Sequence, residues 1–246
     1  MTNYEAIKFD ICCAARLLYR QGLSVANAGH LSVAVGPEEM LVNHFGPSFA
    51  TLRPENIVRV SFKGEVLERD AYVNDTIRLH GIIHRENPRA VAVAHTHPPA
   101  VVTLSALRVV PEIYDQESCL LADDVGLLEE DFAGLASEEE RVMPIALALK
   151  EKHAVILPNH GAITTGDNIQ MAFARMILLE GMAARHLAVT QAARALGREP
   201  IAITPEAARR ARAEIARIPV FAPLWKDFLT RLSTTDPDLF AGSEAR

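Results

Sequence analysis

The chain has 246 residues, 49% of them hydrophobic and 23% charged, with a formal net charge of −6. That length supports a substantial buried core, and the composition reads as an ordinary soluble globular protein. The acidic balance argues against general nucleic-acid binding, which needs a basic face to neutralise phosphates; no apolar run approaches the roughly 20 residues that cross a bilayer.

In chain order, residues 4–21 place Ile7, Ile11, Ala14, Leu17 and Leu18 at helical spacing, with Gly22 as the C-cap. The opening MTNYEAIKFD has no basic stretch leading into an apolar core, so no secretory signal is expected and the cytoplasm is the default location. Short alternating stretches follow at His30–Val35, Met40–Asn43, Ile57–Phe62 and Glu65–Glu68, punctuated by glycine and proline as strands and hairpins require. A helix starts at Asn74 or Asp75, both good N-caps, and ends near Glu86 ahead of Asn87-Pro88. Ala90–Ala94 reads as a buried strand and 98–107 as a helix opened by prolines. The stretch 108–135 gives no clear period, and its acids Asp123, Asp124, Glu129, Glu130 and Asp131 read as a solvated charge run. Beyond it come a helix over Glu138–Lys152, strands at His153–Leu157 and Ala162–Thr164, and a long helix from Asp167 or Asn168 to about Leu196. A further helix follows Thr204-Pro205. The pattern predicts one α/β domain over residues 1–233 and a flexible tail over 234–246. Cys12, Cys13 and Cys119 form no disulfide framework and read as packing residues.

Nine histidines are spread along the chain, and three stand out by position. His95 and His97 follow the AVAVA strand directly, and residues two apart on an extended backbone project to the same side. His160 lies just past the HAVIL strand, in Pro-Asn-His-Gly. Ligand sites in open α/β sheets lie beyond strand carboxyl ends. Three neutral imidazoles suit zinc, manganese, cobalt or iron and leave coordination positions open, as a catalytic metal site does.

Taken together, the segments RQGLSVANAGHLSV (20–33), VNHFGPSFATLRPENIVRVSFKGEV (42–66), LHGIIHRENPRAVAVAHTHP (79–98) and HAVILPNHGAITTGDNIQMAF (153–173) resemble the class II aldolase/adducin family. The resemblance implies a three-layer α/β/α domain around a central mixed sheet. It also implies one divalent metal per subunit on His95, His97 and His160, zinc or manganese first, cobalt or iron next, in a homotetramer acting on a small molecule.

The chain departs from the family in two places. Aldolases of the family carry a glutamate, and the related epimerases an aspartate, four residues before the position of His80. Here that residue is Thr76, which cannot do a carboxylate's acid–base work, with Asp75 one place earlier. Asp75 reads either as an N-cap or as a displaced catalytic carboxylate. The turn that carries an asparagine in sugar-phosphate members is Gly29-His30-Leu31-Ser32 here, as in the adducin-like and decarboxylase-like branches. Asp75 would repel a phosphate, so a phosphorylated sugar is disfavoured. His30, Ser32, Asn43, Gly46 and Tyr114 are the expected substrate-binding residues, with His30 a carboxylate binder, a general acid or a plain turn residue. Glu117 is the spare carboxylate, catalytic or merely solvated, and Arg53 either an interface ion pair or a carboxylate clamp. His44, His84, His153 and His186 read as structural or exposed, and His80 as packing close to the site.

The expected function is a metal-dependent carbon–carbon lyase for a small non-phosphorylated hydroxy or keto acid, the metal stabilising an enolate-like intermediate. A non-catalytic adducin-like scaffold is the alternative, and a sugar-phosphate aldolase or epimerase the third reading.

Overall fold

The computed structural model describes residues 4–68, 70–130, 134, 138–219 and 221–241. Asp131, part of the expected charge run, and residues 242–246 of the expected tail lie outside them.

Seven strands form one sheet: β1 (His30–Ala34), β2 (Glu39–Asn43), β3 (Ile57–Ser61), β4 (Ala92–Thr96), β5 (Val125–Leu127), β6 (Ala154–Leu157) and β7 (Gly161–Gly166). Their order is β3-β2-β1-β4-β7-β6-β5, antiparallel throughout except for the parallel β5–β6 pair, so the sheet is mixed as expected. The AVAVA strand runs two residues further than its apolar run. β4 keeps pairing with β1 through His95 and with β7 through Thr96, which puts His95 inside the sheet, directly across from His30. Residues 65–68 form no strand; an isolated bridge from Val66 to Val60 and the Leu67 N–H bonded to the Arg59 carbonyl make a short return instead.

Strand period sorts the side chains between two helical layers. Leu31, Val33, Ala92, Ala94, Ile156 and Ala162 meet helices α1 (Tyr4–Arg20), α3 (Pro99–Ala106) and α5 (Ile169–Leu196) on one face. Val93, Val155 and Ile163 meet α2 (Arg78–Glu86) and α4 (Glu139–Glu151) on the other. By the same alternation His30, Ser32 and His95 lie on the α2 face. Gly81 lets α2 sit close to the sheet's β3 end, because a Cβ there would run into the Phe62 backbone.

The C-terminal region differs from the expected tail. Helix α6 (Pro205–Ile215) is followed by α7 (Phe221–Thr235) and α8 (Pro237–Phe240), in which Leu232, Asp236 and Leu239 are buried. Arg16, buried on α1, donates to Asp236 at 3.1 Å, to both oxygens of Asp238 at 2.8 Å and to the Leu52 carbonyl at 3.0 Å. A buried guanidinium needs such partners, so residues 234–241 are part of the packed structure. Arg53 joins the same cluster through Asp238 at 3.2 Å. Cys12, Cys13 and Cys119 are free and buried, and burial pushes all three thiols up from their ordinary value. Among the described residues no helix is long and apolar enough to cross a membrane.

Candidate metal centre

His95 is the last residue but one of β4 and pairs with β7, His97 follows β4, and His160 occupies the turn between β6 and β7. Their rings stand 4.9–5.0 Å apart, centre to centre, and one ligand nitrogen from each lies within 4.8 Å of the others. The turn depends on two backbone features. Asn159 adopts a left-handed conformation, φ +55°, with its N–H bonded to the Ser105 hydroxyl at 3.0 Å. Asparagine tolerates that region better than most residues. Gly161 then passes so close to the Thr96 carbonyl and the His97 ring that any Cβ would collide with both. Hence the NHG order: asparagine for the turn, histidine for the triad, glycine for the approach.

The electrostatics fit a cation. The His95 Nδ1–H donates to the Ala162 carbonyl at 3.0 Å, which fixes the tautomer and frees Nε2. His97 Nε2 is buried and has no hydrogen-bond partner, a costly state for a polar atom unless something coordinates it. Burial, reinforced by the neighbouring imidazoles, holds His95 well below the usual histidine value. Burial likewise lowers His97, and His160 falls to about 4 through burial and the adjacent His97. Neutral imidazoles are the form that binds metal. The three residues therefore suit a divalent ion by donor type, spacing and protonation state.

A cavity of about 280 Å³ opens on the triad. Its wall includes His30, Asn27, Asn74, Thr76, Phe45 and Leu79, and among the described residues no lysine, arginine or carboxylate lines it. Thr76 is buried; its hydroxyl donates to Asn74 Oδ1 at 2.9 Å and its N–H to the same oxygen at 2.8 Å, leaving the Asn74 amino group to the cavity. Asp75 is exposed and does not line the cavity. The N-cap before this turn is Asn74.

The other expected substrate-binding residues scatter. Asn43 accepts from the Leu31 N–H at 2.8 Å and donates to the Gly29 carbonyl at 3.5 Å, bracing the loop that presents His30. Gly46 borders a smaller recess beside His30 and Phe45. Ser32 is fully buried behind the wall, between His80 Nδ1 at 2.7 Å and His84 Nε2 at 2.8 Å. Glu117 is exposed, and Tyr114 donates to Glu112 at 2.5 Å; neither lines the cavity of its own chain. Asn27 and Phe45 had no motif to mark them, Asn74 stood out only as a candidate N-cap, and His80 and His84 do more than pack, since both bond Ser32. The spacing of His80 and His84, four apart on a helix, was the available signal.

The family model for the class II aldolase and adducin N-terminal domain matches residues 9–187. The chain is 28% identical over 182 residues to the 5-methylthioribulose-1-phosphate/5-deoxyribulose-1-phosphate aldolase of Rhodospirillum rubrum, covering 74% of this chain and 80% of that one. It is 29% identical over 172 residues to the decarboxylase NovR of Streptomyces niveus, covering 68% of this chain and 63% of that one. The structure of L-fuculose 1-phosphate aldolase from Glaciozyma antarctica superposes with a TM-score of 0.75 at 27% identity, over 85% of this chain and 81% of that one. With its mixed sheet between two helical layers and a family match across most of its length, this chain belongs to the class II aldolase and adducin family.

Proposed function

We propose that the chain is a metal-dependent carbon–carbon lyase of decarboxylase or aldolase type for a small, non-phosphorylated hydroxy or keto acid. The observation that carries this is the cavity: three neutral histidines on one side, and neutral hydrogen-bonding groups with Phe45 and Leu79 on the other. A divalent ion held by His95, His97 and His160 would supply the Lewis acidity that stabilises negative charge developing on substrate oxygens. Zinc or manganese suits imidazole donors best, with cobalt or iron next.

The chain's own residues handle the rest. Asn74, oriented by Thr76, offers N–H donors to a carboxylate or carbonyl oxygen. Phe45 and Leu79 give one side of the cavity an apolar face. A phosphate would meet no cation of this wall, which supports a non-phosphorylated substrate. Aldol cleavage must remove a proton from the substrate hydroxyl before the carbon–carbon bond breaks. Decarboxylation breaks the bond to the carboxyl carbon, leaves the electron pair on the substrate and then requires one proton. A buried threonine where relatives carry a carboxylate favours the second route. Asp75 and Glu117 could act only if a moved turn or a second subunit brought them in; a homotetramer is the assembly we expect.

One observation supports a non-catalytic, adducin-like role instead: that same missing carboxylate. The test is to load purified protein with zinc or manganese and assay a panel of hydroxy acids, keto acids and aldol adducts. The lyase reading expects stoichiometric metal and carbon dioxide or aldehyde release from a panel member; metal without turnover of any of them sinks it in favour of the scaffold.

A further inference from the structure

Behind the cavity wall lies a hydrogen-bonded chain of buried side chains whose donor directions are fully determined. It begins at His84, whose Nδ1 lies 2.6 Å from the Ala90 carbonyl. A carbonyl only accepts, so Nδ1 carries the proton, and in the neutral ring Nε2 is an acceptor. The Ser32 hydroxyl, 2.8 Å from that Nε2, therefore donates to it. Having spent its proton there, Ser32 Oγ must accept from His80 Nδ1 at 2.7 Å. His80 is then protonated on Nδ1, and its Nε2 is a bare lone pair, fully buried and without a partner. Among the described residues no carboxylate joins the chain. Strand and helix periods assemble it: His30 and Ser32 are two apart on β1, His80 and His84 four apart on α2.

The ring beside His80 is His30, perpendicular to it at 5.8 Å between centres. Of the two His30 nitrogens, Nδ1 is buried without a partner, so the ring's other nitrogen, Nε2, is the one presented to the cavity it lines. With its proton on Nε2, His30 would leave two bare lone pairs buried on neighbouring rings. The two nitrogens make no hydrogen bond in this structure, but a proton on Nδ1 instead leaves one donor and one acceptor on the adjoining rings, the combination a low-dielectric interior favours.

We propose that Ser32, His80 and His84 are positioning residues that hold His30 in its Nδ1–H tautomer, so that Nε2 accepts a hydrogen bond from a substrate hydroxyl beside the histidine triad. The inference rests on the lyase-site reading and narrows its substrate class: hydroxy acids, which have a proton to donate at that position, bind in preference to keto acids, which do not. Buried polar groups left unmatched discriminate more strongly than apolar ones.

Nitrogen-15 NMR of histidine-labelled, metal-free protein at neutral pH reads the tautomers without substrate, so it stands whether or not the lyase reading does. The expected result is a proton on Nδ1 of His30, His80 and His84; a proton on Nε2 of His30 or His80 overturns the proposal. Ser32→Ala should mix the His80 and His84 tautomers and release His30, and Ser32→Thr, which keeps the hydroxyl, should preserve them. An unchanged His30 tautomer in a folded Ser32→Ala protein also overturns it, and if that variant fails to fold the wild-type spectrum still decides. Calorimetry on zinc-loaded protein then compares L-lactate with pyruvate. A preference of about fivefold or more for lactate is expected, the value of one hydrogen bond, falling towards unity in Ser32→Ala. Equal or tighter pyruvate binding overturns the substrate class. If neither probe binds, the lyase-site reading loses its support and the spectrum alone settles the tautomers.

Discussion

Strand β6 has a histidine at each end, and the two sit in opposite surroundings. His153, just before the strand, places its ring Nδ1 2.9 Å from both oxygens of the buried Asp124 carboxylate, and its backbone N–H donates to the same group. Arg212 from α6 reaches that carboxylate at 3.0 Å. Burial alone would raise the Asp124 carboxyl, but the His153 hydrogen bonds and the Arg212 charge outweigh it and hold the group low. His160, just beyond the strand, faces the His95 and His97 imidazoles, and burial together with the adjacent His97 holds it neutral. One histidine is a latch bonded to a buried carboxylate, the other a neutral ring among imidazoles. What separates them is the neighbour each ring is seen to meet, a carboxylate for one and two imidazoles for the other; the residue type and the strand are the same.

The largest effect expected from this contrast is on metal content. His95→Ala removes one of three donors from the triad, and affinity should fall by more than about 100-fold, beyond the 10–100-fold typical of losing a supporting group. His153→Ala should leave stoichiometry unchanged, since its ring is already committed to Asp124. Elemental analysis and zinc titration of both variants check this. Equal losses would mean that the hairpin as a whole, rather than the triad, holds the ion.

Gly161→Ala attacks the same site through the backbone. Its new Cβ must displace the Thr96 carbonyl or the His97 ring, so zinc affinity should drop at least about tenfold, as for loss of a supporting group. Zinc titration with a circular-dichroism check of folding tests this. Undiminished affinity would show that the close approach is not needed.

That contrast also shows what the residues alone could and could not disclose. HTHP and NHG placed three histidines past strand ends, and the structure gathers them, because two-residue spacing on a strand is local information. The β1–β4 register that sets His30 opposite His95 is not local. Without it, Ser32 looked like a cavity residue, when strand alternation turns it towards α2 and two histidines. Asp236 and Asp238 sat in a polar stretch that read as frayed, because their partner Arg16 lies more than 200 residues away. Asp124 was hidden in an acidic run for the same reason: its role is set by His153 and Arg212, neither nearby in sequence.

Acid should separate the two kinds of histidine next. His30 and His84 are pushed down to about 4, in both cases chiefly by burial. In the unfolded chain their value is near 6.5, so between those limits the unfolded state binds more protons and stability decreases as pH decreases. Metal-free protein should therefore lose stability progressively from about pH 6.5 towards pH 4, by a few kcal/mol in total. Urea midpoints across that range measure it, and a flat profile would mean the buried rings are charged already. The Asp124 latch behaves differently: its carboxyl stays ionised through this window, and loss of its stabilisation is expected only as pH falls below the ordinary carboxylate range.

Asp124→Asn isolates the latch. Breaking a buried pair typically costs about 3–5 kcal/mol, but the His153 and Arg212 side chains are 37% and 35% exposed. Water recovers part of their loss, so about 2 kcal/mol is expected, with metal content intact. A loss of metal in this variant would tie the two ends of β6 together and remove the contrast.

The smallest effect belongs to Thr76, and it bears on what the cavity lost and kept. If Thr76 serves only to orient Asn74, Thr76→Val removes one hydroxyl hydrogen bond and should cost about 1 kcal/mol of stability, because the backbone bond from residue 76 to Asn74 Oδ1 remains. Metal affinity should not change. Substrate affinity should weaken slightly, since the Asn74 carboxamide is then free to turn its oxygen towards the cavity. Turnover at saturating substrate should hold. A collapse of turnover with binding and stability intact would instead give the Thr76 hydroxyl a place in the chemistry, and would mean that the carboxylate's position, though filled by a different group, is still a working part of the site.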